Sequence, residues 1–547
     1  MLNNQNGYAL LNVLLIFTIL TIAGISLLGI TISSQNYVAY SQTYIEEMAD
    51  AEMELDEATE LLVVKIEELN TLIGNGQINQ SLLLNQINQI INTLNMESDY
   101  DNFEPYKNIP VKEFNTNSNL FLQKIEVSIP IGNNHVTNKY LKKVLTVSTI
   151  ADVFKYSAVT EGKLILNGAS EITGDIYANQ GVYLSNYGKF SLNYWNGDVD
   201  NFRPLTTYPS INGNLTVKGN NQGPKFYYGK QPNWIAINDS SWQSYFVKSP
   251  TLKDRDVDFN QFDINSLVDN KLSEYNSVKN TFFHYSYNEN LYSNLNLSRS
   301  VIFYENLDLH STLTVTGDVF LNKGINIKEN GKLIVKGNVY SLGNNNLSGE
   351  ISLTNSTNYL LMTKNTTISN LTLNGTMFNK GNVTIKNNLN TNGTIYVSGE
   401  SKIENLNNES GGTAVLLSEG NITLSNNNQY QETAREIDAF LYSNKDLEIY
   451  GVGSNIKING GIYGRNITLN ATRGSTYPIS GWKGYTSNLD ISRFDSIGFL
   501  YIQKNQTNSN LKSRLQIEFD PSLIQNPPTG IPTVEKLQIT EIDQKIE

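Results

Sequence analysis

The residues best suited to chemistry in this 547-residue chain are carboxylates, because it has no cysteine and only three histidines. Without a thiol there is no disulfide, no thiolate metal ligand and no Cys nucleophile. His135, His284 and His310 lie far apart, in no ligand-like spacing. The stretch "DRDVDFN" puts Asp254, Asp256 and Asp258 at alternate positions. Such a loop can offer hard oxygen ligands to Ca²⁺. The EF-hand form also needs Gly at the sixth place and Glu at the twelfth. Here those places hold Phe259 and Asn265, so that form is excluded. A calcium loop of another kind and a solvated loop ahead of a helix both fit.

Carboxylate pairs suit a second chemistry. Glycoside hydrolysis needs two carboxyl groups about 5–9.5 Å apart in a groove. Asp438 stands beside Arg435 and Glu436, and Asp446 lies two residues before Glu448. On a strand that second pair points to one face. The plainer reading of both is a solvated exterior. No Walker loop, no G-x-S-x-G and no H-E-x-x-H occurs, and no motif calls for a cofactor. The chain is therefore not expected to be an enzyme.

Aromatic residues are a third candidate set. Trp195, Trp234 and Trp242 fall with many Tyr and Phe between about 194 and 300. Exposed, they would bind a glycan or a surface receptor; under a long loop, they would form a local core. The net charge of -12 and pI of about 5.0 repel phosphate backbones, which sets nucleic acid aside as a partner.

The elements that must position these residues change character along the chain. Tyr8 to Ile32 carries no charge, and Asn12 is its one strongly polar residue. As a helix these 25 residues rise about 37 Å, where about 20 residues span a bilayer. A helical pattern continues to about residue 73. Ile45, Met48, Leu55, Leu62, Ile66, Leu69 and Ile73 form a seam broken by Glu52 and Thr59. That seam packs on its own domain or forms a coiled coil. Gly74 and Gly76 stop it. Leu84, Ile87, Ile91 and Leu94 make the face of a second, shorter helix. "FLQKIEVSIPI" and "YLKKVLTVSTIADV" flank a turn and predict a hairpin.

Past residue 160 a loose repeat sets in: Gly, then usually Asn or Asp, then a short alternating strand. Examples are "GDIYA" at Gly174, "GDVFL" at Gly317, "GNVYS" at Gly337, "GNVTI" at Gly381 and "GNITL" at Gly420. Neighbours lie about 12 to 20 residues apart, which suits stacked solenoid turns. Ile, Val and Leu then face inward, with Thr and Tyr outside. Gly with Asn or Asp takes a corner of positive φ, and corner amides stack in ladders. An antiparallel sandwich or barrel uses similar strands. Within the aromatic stretch, Asp263 is placed to cap a helix with the apolar face Ile264, Leu267, Val268, Leu272 and Tyr275.

The expected fold class is thus mainly β: a right-handed parallel β-helix (solenoid) over 156–520, preceded by a long hydrophobic-to-amphipathic α-helix and a small α+β segment. The divisions are a leader at 1–7, the helix at 8–73 with its membrane part at 8–32, and the α+β segment at 74–155. The aromatic excursion occupies about 194–300, and a C-terminal extension 521–547.

With that organisation, "NQNGYALLNVLLIFTILTIAGISLLGITI" resembles the N-terminal segment of type IV pilins and minor pilins, in the PilX-like form. The resemblance covers about the first 60 residues. It implies that a prepilin peptidase cuts after Gly7, that Tyr8 becomes an N-methylated terminus, and that the helix joins membrane or filament. Other pilin-like subunits would be its partners. Two departures stand out. The leader "MLNNQN" lacks the family's Lys or Arg, and the fifth mature position, commonly Glu, is Asn12. Both favour a minor or accessory subunit, with its bulk outside a bacterial cell. Rival readings are a cleaved secretion signal, a single-span anchor, a bactofilin-like scaffold, and a cell-surface β-helix polysaccharide lyase or hydrolase.

Overall fold

The computed structural model describes all residues except 1–4, 76, 78–81, 99–102, 112–119, 133–138, 194–198, 218–224, 238–239, 255–260, 279–282, 285–289, 409–411, 480–489 and 509. Contacts divide the chain into two compact units. One is Met1–Lys112, Phe121–Ser148 and Glu535–Glu547; the core of the other is Thr149–Val534.

In the first unit, α1 (Gln5–Gly74) is one unbroken helix. Its amphipathic part buries Ala51, Leu55, Leu62, Ile66 and Leu69 in the unit's own core, while Ile45 stays exposed. Packing on its own domain therefore accounts for the seam beyond residue 50. The second helix, α2 (Leu83–Glu97), buries Leu83, Ile87, Ile91 and Leu94. Leu84, expected inside, is exposed, because spacings of four, four and three from Leu83 fix the buried stripe. Strands Leu122–Pro130 and Tyr140–Ile150 pair antiparallel as the sequence predicts. Tyr106–Ile109 adds at one edge and Thr533–Ile546 at the other. Tyr140 and Glu547 exchange both backbone hydrogen bonds, the mark of antiparallel pairing. The segment read as an extension from 521 thus ends as an integral strand. Asn70 fastens it to α1, donating to Leu537 O at 2.9 Å and accepting from Leu537 N at 2.7 Å.

The second unit is a parallel β-solenoid of about 13 turns. A typical turn has three strands, such as Val301–Phe303, Leu307–Leu309 and Thr312–Val315. One inward column runs Val301, Val319, Val339, Leu360, Met377, Ile395, Leu416, Leu441 and Ile462. It is buried throughout, so each turn covers the apolar floor of the next.

The column then continues on residues from far earlier in the chain. Ile462 pairs with Ala158, Ala158 with Ile176, and Ile176 with Leu215. The chain therefore enters the solenoid at an inner turn. It builds outward through 158–168, 176–185 and 210–228, then crosses to the opposite end. From there it returns through 283–471 and closes on its own first turn.

The crossing is made by α3 (Ile264–Val278). Asp263 caps it as expected, accepting from Ser266 N at 2.9 Å. At about 22 Å the helix spans between four and five strand spacings of about 4.8 Å. Its buried residues Ile264, Val268 and Tyr275 lie on an outward column that includes Phe320, Tyr340, Phe378, Tyr396 and Tyr442. Leu267, expected on that face, is exposed. Tyr275 stacks on Phe320 at 5.3 Å, and Phe262, just before the helix, meets Tyr442 at 5.1 Å. The tyrosines do stand outside the sheet, as alternation dictates, but α3 and residues 521–531 bury them. Strands at 210–230 and 283–297 are solenoid turns, so much of the stretch read as an excursion belongs to the repeat.

The Gly-Asn/Asp signature has two causes, only one of which its composition suggests. Gly174 has the expected positive φ, 118°. Gly337 does not: it is needed because a Cβ there would lie 2.6 Å from Gly317 O in the turn below. The next residue ties the turns together. Asp318 Oδ1 accepts from Asn338 N at 2.7 Å, Asn365 Oδ1 from Asn382 N at 2.9 Å, and Asn382 Oδ1 from Glu400 N at 2.9 Å. Positive φ falls at another corner, on Asn370, Asn387 and Asn405. There the amides do stack, Asn405 Nδ2 donating to Asn387 Oδ1 at 3.0 Å.

Candidate functional site

Three surfaces carry the residues that sequence singled out. The first is the N-terminal part of α1. The backbone of Gly7 and Tyr8 lies inside the helix, which begins at Gln5. From Leu10 to Ile32 the large apolar side chains are all exposed, Phe17 at 72%. This is a helix long and apolar enough to cross a membrane. The hydroxyls of Thr18, Thr21, Ser26 and Thr31 each donate to the carbonyl four residues back, at 2.8 to 2.9 Å. Asn12 is exposed and lacks such a bond among the described residues.

The second is the aromatic region. Trp195 lies outside the described residues. Trp242 stacks on Phe226 at 4.6 Å and meets Phe246 edge-on, packing partly buried against the solenoid core. It acts as a plug on that core. Trp234 sits on the hairpin of Phe226–Lys230 and Asn233–Ile237, opposite Gly229. With no side chain across from it, its half-buried ring reaches Tyr183 edge-on at 5.3 Å. Tyr183 in turn stacks on Tyr227 at 4.5 Å, with Lys163 Nζ 5.5 Å from its ring centre. Burial, then the neighbouring Tyr227, pushes the Tyr183 hydroxyl pKa up. The two tryptophans therefore differ in what they touch: Trp242 packs against the solenoid core, and Trp234 is the half-buried edge of an aromatic stack. Sequence reasoning missed Tyr183 and Tyr227. Register alone, Tyr183 against Tyr227, puts them together.

The third comprises the carboxylates. Asp254 ends the strand Thr251–Asp254, while Asp256 and Asp258 lie outside the described residues. Among the described residues no group of three or more His, Cys, Asp or Glu could hold a metal. Asp438 accepts from Asn459 Nδ2 at 3.0 Å, and Glu436 from the same amide at 3.3 Å. Asp446 accepts from Asn466 at 2.8 Å. Glu448 accepts from Lys189 at 3.0 Å and Asn470 at 3.1 Å. Each partner amide lies one turn away, so these carboxylates are members of the inter-turn ladder.

A deeply buried cation stands apart from all three surfaces. The Arg514 guanidinium donates to the carbonyls of Ser454, Gly474 and Gly453 at 2.9 to 3.3 Å. Burial pulls its pKa down to about 10. Its donors are spent on backbone, which fits a role in fixing the loops around 453 and 474.

Comparison of the chain with protein-family models, curated proteins and solved structures returns no match.

Proposed function

We propose that this chain is a membrane-inserted structural or adhesive protein of the bacterial cell surface, serving as a minor or accessory subunit of a type IV pilus-like filament. The observation that carries the reading is α1, a single helix in two environments. One face of its later half is buried in a folded unit, and its first turns expose a membrane-length apolar surface. Such a surface needs lipid or other helices around it. Prepilin peptidase and other pilin-like subunits are the partners that follow. The Trp234 edge of the solenoid is where a glycan or receptor would meet the protein. The bonding of the candidate carboxylates into ladders supports a structural role over hydrolysis.

The uncharged leader favours a second reading, in which the same helix is a single-span anchor that never enters a filament. Shearing intact cells that make the protein separates the two. Recovery in the sheared filament fraction supports the pilus-like role. Quantitative retention in the membrane fraction leaves the anchor. Recovery in the cytosol contradicts both.

A further inference from the structure

The apolar part of α1 carries one unresolved polar group, and it sits on a regular seam. Among the described residues from Leu10 to Ile32, every hydroxyl is satisfied within its own helix. The Asn12 amide, with two donors and an acceptor oxygen, has no bond among the described residues. In hydrocarbon an unpaired amide is costly, so it seeks a partner on another helix. Asn12, Ile16, Ile19, Ala23, Ser26 and Ile30 follow spacings of four, three, four, three and four. That is the spacing of a left-handed helix–helix seam, where one polar amide fixes register.

We infer that α1 pairs in parallel with α1 of a second copy along this seam, with Asn12 bonded to Asn12 of the partner. The inference rests on the membrane-inserted reading. Two copies inserted by the same route share one orientation, so their Asn12 residues lie at equal depth. An amide is both donor and acceptor, so it is complementary to itself, as a carboxylate or ammonium is not. Ala23 and Ser26 let the helices approach closely below that bond. Leu14, Phe17 and Leu28 lie on the opposite side of the helix.

The native absence of cysteine makes the test direct. Full-length single-cysteine variants at Ile16, Ile19 and Ile30, and at Leu14, Phe17 and Leu28, are placed in phosphatidylcholine vesicles. They are floated on a density gradient and then oxidised. Seam positions should cross-link strongly and the opposite positions weakly. Asn12→Leu in the Ile19→Cys background should lower cross-linking about fivefold, and Asn12→Gln should restore most of it. Failure to float would overturn the membrane reading itself. Flotation with equal cross-linking at all six positions, or with Asn12→Leu unchanged, would overturn the seam alone.

Discussion

Asn167 Nδ2 donates to Asn470 Oδ1 at 2.9 Å, joining residues 303 apart in sequence. Both are buried, at the interface where the returning solenoid meets its first turn. Lys163 N donates to Asn466 Oδ1 at 2.9 Å beside them, which repeats the ladder bond found between sequential turns. The seam is therefore built like any other inter-turn contact, although its two sides are made at opposite ends of the solenoid sequence.

Removing one side of that bond strands the other. Asn470→Ala should cost about 1–3 kcal/mol, since the Asn167 amide is left buried and unpaired. Asn167→Ala on top of it should add less than its effect alone. Urea unfolding midpoints of the two single variants and the double variant check this; strict additivity would mean the bond carries no coupling.

Stacking of glycines predicts a steric limit. Gly337→Ala puts a Cβ 2.4 Å from Asp318 Oδ1 and 2.6 Å from Gly317 backbone, and should destabilise by about 1–3 kcal/mol. Gly74 has nothing within 4 Å of its Cβ position, so Gly74→Ala should leave the thermal midpoint within a degree or two. Differential scanning calorimetry of both distinguishes a packing demand from a general need for glycine.

The two described tryptophans should separate stability from binding. Trp242→Ala should cost up to about 3 kcal/mol, the low end for a core tryptophan because the ring is only partly buried. Trp234→Ala should cost about 1 kcal/mol or less. If a glycan or cell-surface receptor meets this edge, Trp234→Ala should also lose adhesion to host or abiotic surfaces while its melting curve stays near wild type. Equal loss of stability from both variants would show that Trp234 too is core.

Acid should loosen the α3 crossing. Glu274 on α3 accepts from Tyr359 on the solenoid at 2.7 Å and pairs with Lys271. Burial works against its ionisation, but those two bonds prevail and hold its pKa below the ordinary 4.5. A carboxyl with a depressed folded pKa contributes its stability fully above the unfolded value and loses it as pH falls through the folded one. Unfolding midpoints should therefore drop as pH falls below about 4.5, and Glu274→Gln should flatten that drop. In the other unit, hydrogen bonds from Lys142 and then Lys545 hold Glu547 at about 2, so its contribution is lost between about 4.5 and 2.

Much of this was readable in the sequence, and the limits have physical causes. The repeat announced the solenoid because inward Ile, Val and Leu must recur with each turn. Asp263 announced α3 because a cap is local. The return of the chain to 158–168 was not readable, because Ala158 and Ile462 belong to the same apolar column as any sequential pair. The burial of Tyr340, Tyr396 and Tyr442 also escaped, since alternation gives a side chain's face and not what covers it. The role of Gly337 was misjudged because composition does not separate a need for positive φ from a need for space. Of the candidate residues, Trp242, Glu436, Asp438, Asp446 and Glu448 found structural partners, and Asn12 has none among the described residues.

The central claim, that α1 is a processed assembly helix, is tested most directly by mass spectrometry of the mature N-terminus from cells that make the protein. The account predicts a chain beginning with N-methylated Tyr8. An intact Met1, or a start beyond Ser33 that removes the apolar segment, would contradict it.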